Sequence, residues 1–180
     1  MHIFNTLGVT ILSLTWGINQ SFAVQLQDGT VYFAQPPVLV KAITTYKEPQ
    51  TPSTYYFTLG LSQQAGEPLQ QVTFNQYRGL ENIRFDLKRT SAEARTGSNS
   101  WQRLNLTEVT RDPKTKTVSV TFNPPVPPNS TIKIGLHSLR NPLSGGIYLF
   151  GVTAYPAGEK SHGQFIGYGR LQFISPGGRF

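Results

Sequence analysis

Beyond residue 23 the chain has two histidines and nine carboxylates for proton transfer or metal binding. His137 falls on the polar side of an alternating segment and His162 lies in a glycine-flanked loop, so both are expected at the surface. A metal site would need carboxylates gathered around them, and no two acids stand at the spacing of a calcium loop. Acid-base cleavage of a glycosidic bond takes two opposed carboxylates; any two of the nine would serve, but their spacing nominates none. Cysteine is absent, which removes a thiol nucleophile, a thiolate zinc site, an iron–sulfur cluster and a disulfide framework together. There is no G-x-S-x-G elbow and no phosphate loop, and Gly167-Tyr168-Gly169 lacks the third glycine of a dinucleotide fingerprint. No catalytic residue, metal or cofactor is implied.

Binding is better represented than catalysis. The formal net charge is +7, and its densest segment runs through Lys88, Arg89, Arg95 and Arg103 to Arg111, Lys114 and Lys116. Should the loop and the hairpin carrying these residues fall at one end of the fold, they would form a basic patch for an acidic protein, a glycan or an anionic membrane surface. Nucleic acid is not expected for an exported chain. Trp101 with Arg103, and tyrosines such as Tyr77, have the composition of a sugar-stacking platform, although core packing is the expectation for them.

The elements that position these residues are strands. Val118, Val120 and Phe122 alternate with Thr117, Ser119 and Thr121, and Ile132, Ile134 and Leu136 alternate with Lys133, Gly135 and His137. Tyr55, Phe57, Leu59 and Leu61 share one face of a further segment, and a period of two is the mark of a half-buried strand. Residues 147–155 are apolar on both faces, as suits a strand in the middle of a sheet. Pro124 to Pro128 reads as a corner between layers, residues 111–116 as a tight hairpin, residues 82–87 as a short strand and residues 101–109 as one strand. Residues 88–100 are hydrophilic and read as a mobile loop, while Gly167 and Gly169 suggest a bulge or close backbone approach. Nine or ten such strands predict an all-β protein, an antiparallel β-sandwich of immunoglobulin-like architecture without the disulfide.

Residues 3–18 are apolar and uncharged, and Ser21-Phe22-Ala23 supplies small residues where a signal peptidase reads them. A signal peptide over 1–23 is therefore expected, with one β-sandwich domain over 24–180; a retained N-terminal anchor is the alternative, because no lysine or arginine precedes the apolar run. No other stretch has the length of a membrane-spanning helix.

Several motifs occur together: Ala65-Gly66-Glu67-Pro68-Leu69, Phe122-Asn123-Pro124-Pro125-Val126, Asn141-Pro142 before Gly146-Ile147-Tyr148, and Gly167-Tyr168-Gly169-Arg170. As a set they resemble an uncharacterised family of exported cyanobacterial proteins, a DUF2808-like domain of unknown function, over about residues 31–173. The resemblance implies an envelope or thylakoid-lumen protein and transfers no site residue. The chain is expected to be an exported, non-catalytic binding or structural module whose basic loop end meets an acidic partner. The alternative is a cofactor-free hydrolase acting on envelope polysaccharide through a carboxylate pair.

Overall fold

The computed structural model describes residues 24–25, 28–175 and 177, so the expected leader lies outside the described residues. In chain order the strands are β1 (Val24–Gln25), β2 (Thr30–Tyr32), β3 (Val38–Thr44), β4 (Ser53–Leu61), β5 (Leu69–Arg78), β6 (Ser91–Thr96) and β7 (Gln102–Arg103). They continue as β8 (Leu106–Asp112), β9 (Thr117–Val126), β10 (Ser130–Ser138), β11 (Gly146–Pro156), β12 (Lys160–Ser161) and β13 (Gln164–Phe173). One five-stranded sheet has the order β3-β4-β10-β6-β7, the other β13-β11-β5-β9-β8, and the pairs within both are antiparallel. A small third sheet, β1-β2-β12, contains a parallel pair, β2 with β12.

The alternating segments form the interior of this sandwich. Ile132, Ile134 and Leu136 on β10 are fully buried, as are Tyr55, Phe57 and Leu59 on β4, which lie opposite them in register. Val118, Val120 and Phe122 face them from the second sheet, with Val72, Phe74, Phe150 and Val152. Apolar burial on two facing sheets supplies the main driving force, since side chains repeating every second residue leave water together. As its sequence suggests, β11 lies inside the second sheet, between β13 and β5. The bulge expected at the late glycines is present, and the close approach at Gly169 is by side chains instead of another backbone. The ladder shifts where Val152 pairs with Gly167, and a Cβ on Gly169 would come within 2.6 Å of the Phe57 ring and 3.0 Å of Ala42. Glycine at 169 thus lets the edge strands β13 and β3 meet and close one side of the sandwich.

Some expected elements differ. β9 runs on through Pro124 and Pro125 to Val126, and its ladder with β5 skips the prolines, which have no N–H to donate; only then does the chain cross to β10 in the other sheet. Residues 88–100 are not a loop throughout: a 3-10 turn, Leu87–Arg89, leads into β6, where Ala92 and Ala94 alternate inward. Two small apolar residues among charges leave little hydrophobic signal in the sequence. The expected strand over 101–109 divides, because β7 pairs with β6 in the first sheet and β8 with β9 in the second. Residues 82–87 contribute a single bridge, Phe85 with Ser138.

His137 is a correction with a consequence. Instead of facing water it is buried on β10, with Nδ1 3.2 Å from Thr54 Oγ1, because the crossing segment at 84–89 covers the end of the strand. Burial and then the positive charge of Arg89 hold its pKa below the ordinary value, partly offset by Asp86. A histidine that resists protonation when folded favours the unfolded chain in acid. The stability it permits is complete above the ordinary histidine pKa of about 6.5 and is lost as pH falls through that value towards the folded one. The denaturation midpoint should therefore decline between about pH 7 and 5, and His137→Gln should flatten that slope. An unchanged slope in the variant would show that another group is responsible. Asp28, Glu81 and Asp112, whose pKa values are lowered chiefly by backbone or hydroxyl hydrogen bonds, act only in the more acid carboxylate range.

Candidate functional site: a basic loop end

Three connections converge at one end of the sandwich. Residues 79–90 leave β5 and cross to the first sheet, 139–145 join β10 to β11, and 113–116 form the β8–β9 hairpin. Gly79 lies at the exit of β5 with φ of 145°, and a Cβ there would come within 2.1 Å of the Tyr148 ring, so the chain passes against this ring only as glycine. The Tyr148 hydroxyl accepts from the Glu81 amide at 3.3 Å and donates to the Ser144 carbonyl at 3.0 Å. The Glu81 carboxylate accepts the Ser144 amide, and the Leu139 amide donates to the Arg84 carbonyl at 2.9 Å. Asn141, fully buried, accepts from the Tyr55 hydroxyl at 2.9 Å. Its Nδ2 lies 3.0–3.1 Å from Tyr46 O, Glu48 O and Ser53 Oγ. The loops are thereby bonded to one another and to the core.

Onto this frame the chain places Lys88 and Arg89, exposed on the 3-10 turn that packs against β8 and β10. The guanidinium of Arg111 reaches Asn82 Oδ1 at 3.2 Å and the Ile83 carbonyl at 3.5 Å. Lys114 and Lys116 project from the hairpin, whose Lys116 carbonyl accepts the Gln76 amide at 3.1 Å. Arg78, Arg84 and Arg140 join them, all exposed. Sequence reasoning passed over these three because they lie outside the dense basic segment and are brought in by strand order. Asp112 and Asp86 serve turns: Asp112 accepts Lys114 N and Thr115 Oγ1 at 2.8 Å, and Asp86 accepts Lys88 N at 3.1 Å. These eight basic side chains and the acids Glu81, Asp86 and Asp112 sum to +5 out of +7 for the whole chain, and Lys47 and Glu48 of the adjoining β3–β4 connection cancel.

Arg95 and Arg103 are elsewhere. β6 carries Arg95 four residues beyond Ser91, roughly 13 Å along the strand, to a position opposite Thr131 near the far end of β10. Arg103 lies opposite Glu93 on β7. Trp101 is not core: it is 38% exposed, with Arg95 and Lys133 at 5.0 and 4.9 Å from its ring centre, while Lys133 pairs with Glu93. Nor is Tyr77, which is 65% exposed and lies 5.0 Å from Tyr168; the rings of Tyr168 and Phe165 lie over Gly151. His162 is exposed, as expected, with its ring 4.6 Å from that of Tyr32.

Among the described residues no group of three or more His, Cys, Asp or Glu is placed to hold a metal ion, and no helix is long and apolar enough to cross a membrane. The fold is similar to the collagen adhesin of S. aureus, at 11% identity over 77% of this chain and 50% of that one, with a TM-score of 0.45. The chain thus spans half the length of that protein. It is also similar to a collagen-binding domain from a Staphylococcus aureus adhesin (10% identity, 74% and 97% covered, TM-score 0.41). A third similar structure is the collagen-binding subdomain of the Enterococcus faecalis surface protein ACE (3% identity, 73% and 93% covered, TM-score 0.44). Comparison with curated proteins gives no match. The motifs quoted above fall inside a longer matched stretch, residues 30–173, and on that match the chain belongs to the family described as protein of unknown function (DUF2808).

Proposed function

We propose that this protein is an exported, non-catalytic binding module of the cell envelope or thylakoid lumen whose basic loop end engages an acidic surface. The observation that carries the reading is the gathering of Arg78, Arg84, Lys88, Arg89, Arg111, Lys114, Lys116 and Arg140 around loops bonded to the core. A predominantly basic cluster on a rigid frame attracts an oppositely charged partner at long range without first having to be ordered. The leader-like residues 1–23 support export. A hydrolase would need two facing carboxylates; instead Asp28, Glu48, Glu81, Asp86 and Asp112 bind backbone amides, and Glu93 pairs with Lys133.

The test compares two variants of equal charge on a heparin column. One carries Lys88→Ala, Arg89→Ala, Lys114→Ala and Lys116→Ala; the other carries Lys41→Ala, Arg95→Ala, Arg103→Ala and Lys160→Ala, all exposed positions away from the loop end. The first should elute at distinctly lower salt than the second, because only it removes the cluster. Coincident elution would mean that net charge alone sets retention, and the loop end would lose its role.

A further inference from the structure

We propose that the acidic surface is an anionic lipid bilayer, and that Leu80, Leu139 and Leu143 enter its interfacial layer while the surrounding arginines and lysines hold the headgroups. This rests on the reading of the basic end given above and names its partner. Leu80 is 82% exposed and Leu139 and Leu143 are each 48% exposed, an unusual concentration of open leucine for one end of one domain. They are not scattered. Leu80 precedes Glu81 and Leu143 precedes Ser144, the two residues joined through the Glu81 carboxylate, and Leu139 is bonded through its amide to Arg84. A cleft of about 370 Å³ opens beside Leu80, lined also by Arg78, Ile147 and Tyr148.

An acidic glycan would use the charges and leave the leucines in water, and a protein would have to offer an apolar surface matched to all three. A bilayer uses both, since apolar side chains gain by entering the acyl boundary while lysine and arginine remain at headgroup level. The backbone is prepared for that transfer, because the amides of Glu81, Leu139 and Ser144 are already bonded within the tip. Glu81, the carboxylate between the two loops, turns its charge to the amide of Ser144 and then that of Leu143, with Arg140 close by. Tyr77, exposed beside Arg78, suits the boundary, where an amphipathic ring is favoured.

The test is co-sedimentation of the exported protein with vesicles of phosphatidylcholine alone and of equal parts phosphatidylcholine and phosphatidylglycerol. The variants are Leu80→Ser with Leu139→Ser and Leu143→Ser, and separately Arg84→Gln with Lys88→Gln, Arg89→Gln and Arg140→Gln. Circular dichroism establishes that each is folded. The parent should bind the anionic vesicles; the leucine variant should lose about tenfold or more in apparent affinity while its heparin elution stays unchanged. As a second readout, emission from Leu80→Trp should shift to the blue on adding anionic vesicles. Equal binding by parent and leucine variant overturns the inference and leaves the charge reading standing. So does heparin retention that depends on the loop-end charges with no vesicle binding, an outcome that assigns an acidic protein or glycan. Charge variants that alter neither measurement overturn the earlier reading as well.

Discussion

Replacing Asn141 with alanine is expected to lower the unfolding free energy by about 3 kcal/mol, a large share of a typical domain's stability. The side chain is fully buried and satisfies groups from the β3–β4 connection and the start of β4: the carbonyls of Tyr46 and Glu48, Ser53 Oγ and the Tyr55 hydroxyl. Alanine would remove this shared partner; the Tyr46 carbonyl keeps Thr44 Oγ1 and Ser53 Oγ keeps the Thr51 carbonyl, so the cost falls mainly on the Tyr55 hydroxyl and the Glu48 carbonyl. Burial already pushes the Tyr55 hydroxyl far above its ordinary pKa, so it cannot escape the cost by ionising. Asn141→Asp keeps the shape but removes the Nδ2 donors, setting a carboxylate against two carbonyl oxygens. It should be at least as destabilising as alanine at neutral pH, and less so in acid once the new carboxyl is protonated. Urea midpoints at constant slope measure all three chains. A loss below about 1 kcal/mol for Asn141→Ala would show that water or neighbouring groups replace the amide easily.

The second large effect is Phe57→Ala, for which about 4 kcal/mol is expected. Phe57 extends from the first sheet to meet Phe74 and Phe150 of the second, at ring-centre distances of 4.6 and 5.8 Å. On β4 it pairs with Ile134 on one side and Ala42 on the other, and its ring covers the backbone at Gly169. The ring therefore supports both the contact between the sheets and the closure of β3 against β13. Truncation leaves a cavity that two hydrogen-bonded sheets cannot collapse into, so the cost exceeds simple transfer of the ring to water. Phe57→Leu should cost less than half as much because most of the volume remains. Similar losses for alanine and leucine would mean that the aromatic contacts, rather than filled space, hold the sheets together.

Asn141 also connects stability to the binding end. It lies in the same 139–145 connection as Leu139, Leu143 and Arg140, and its bonds reach across to the 46–53 loop. Rigid support of this kind reduces the ordering cost of any contact made there. The sequence contains Asn141-Pro142, which reads as a turn, but nothing local indicates that the asparagine points inward. Its partners lie 86 to 95 residues away.

Much of the architecture was legible from residues 117–136 and 55–61, because pleating alone sends alternate side chains to opposite faces, whatever the rest of the chain does. Charged strands were harder to read. β6 has only alanines inward and reads as loop, and His137 has the parity of a surface residue until the crossing segment covers it. Composition, the absence of cysteine, the two sheets' worth of strands and the family resemblance all follow from information that is local along the chain.

What lies at one end of a sandwich is not local. The basic stretch from 88 to 116 is continuous in sequence, yet β6 carries Arg95 away along the sheet, while the order β13-β11-β5-β9-β8 and the crossing to β10 bring Arg78, Arg84 and Arg140 beside Lys88 and Lys114. Leu80 and Leu143 are neighbours for the same reason. Backbone geometry decides which way a side chain points from its strand, but strand pairing across many residues decides which loops share an end, and that depends on burying the whole core at once.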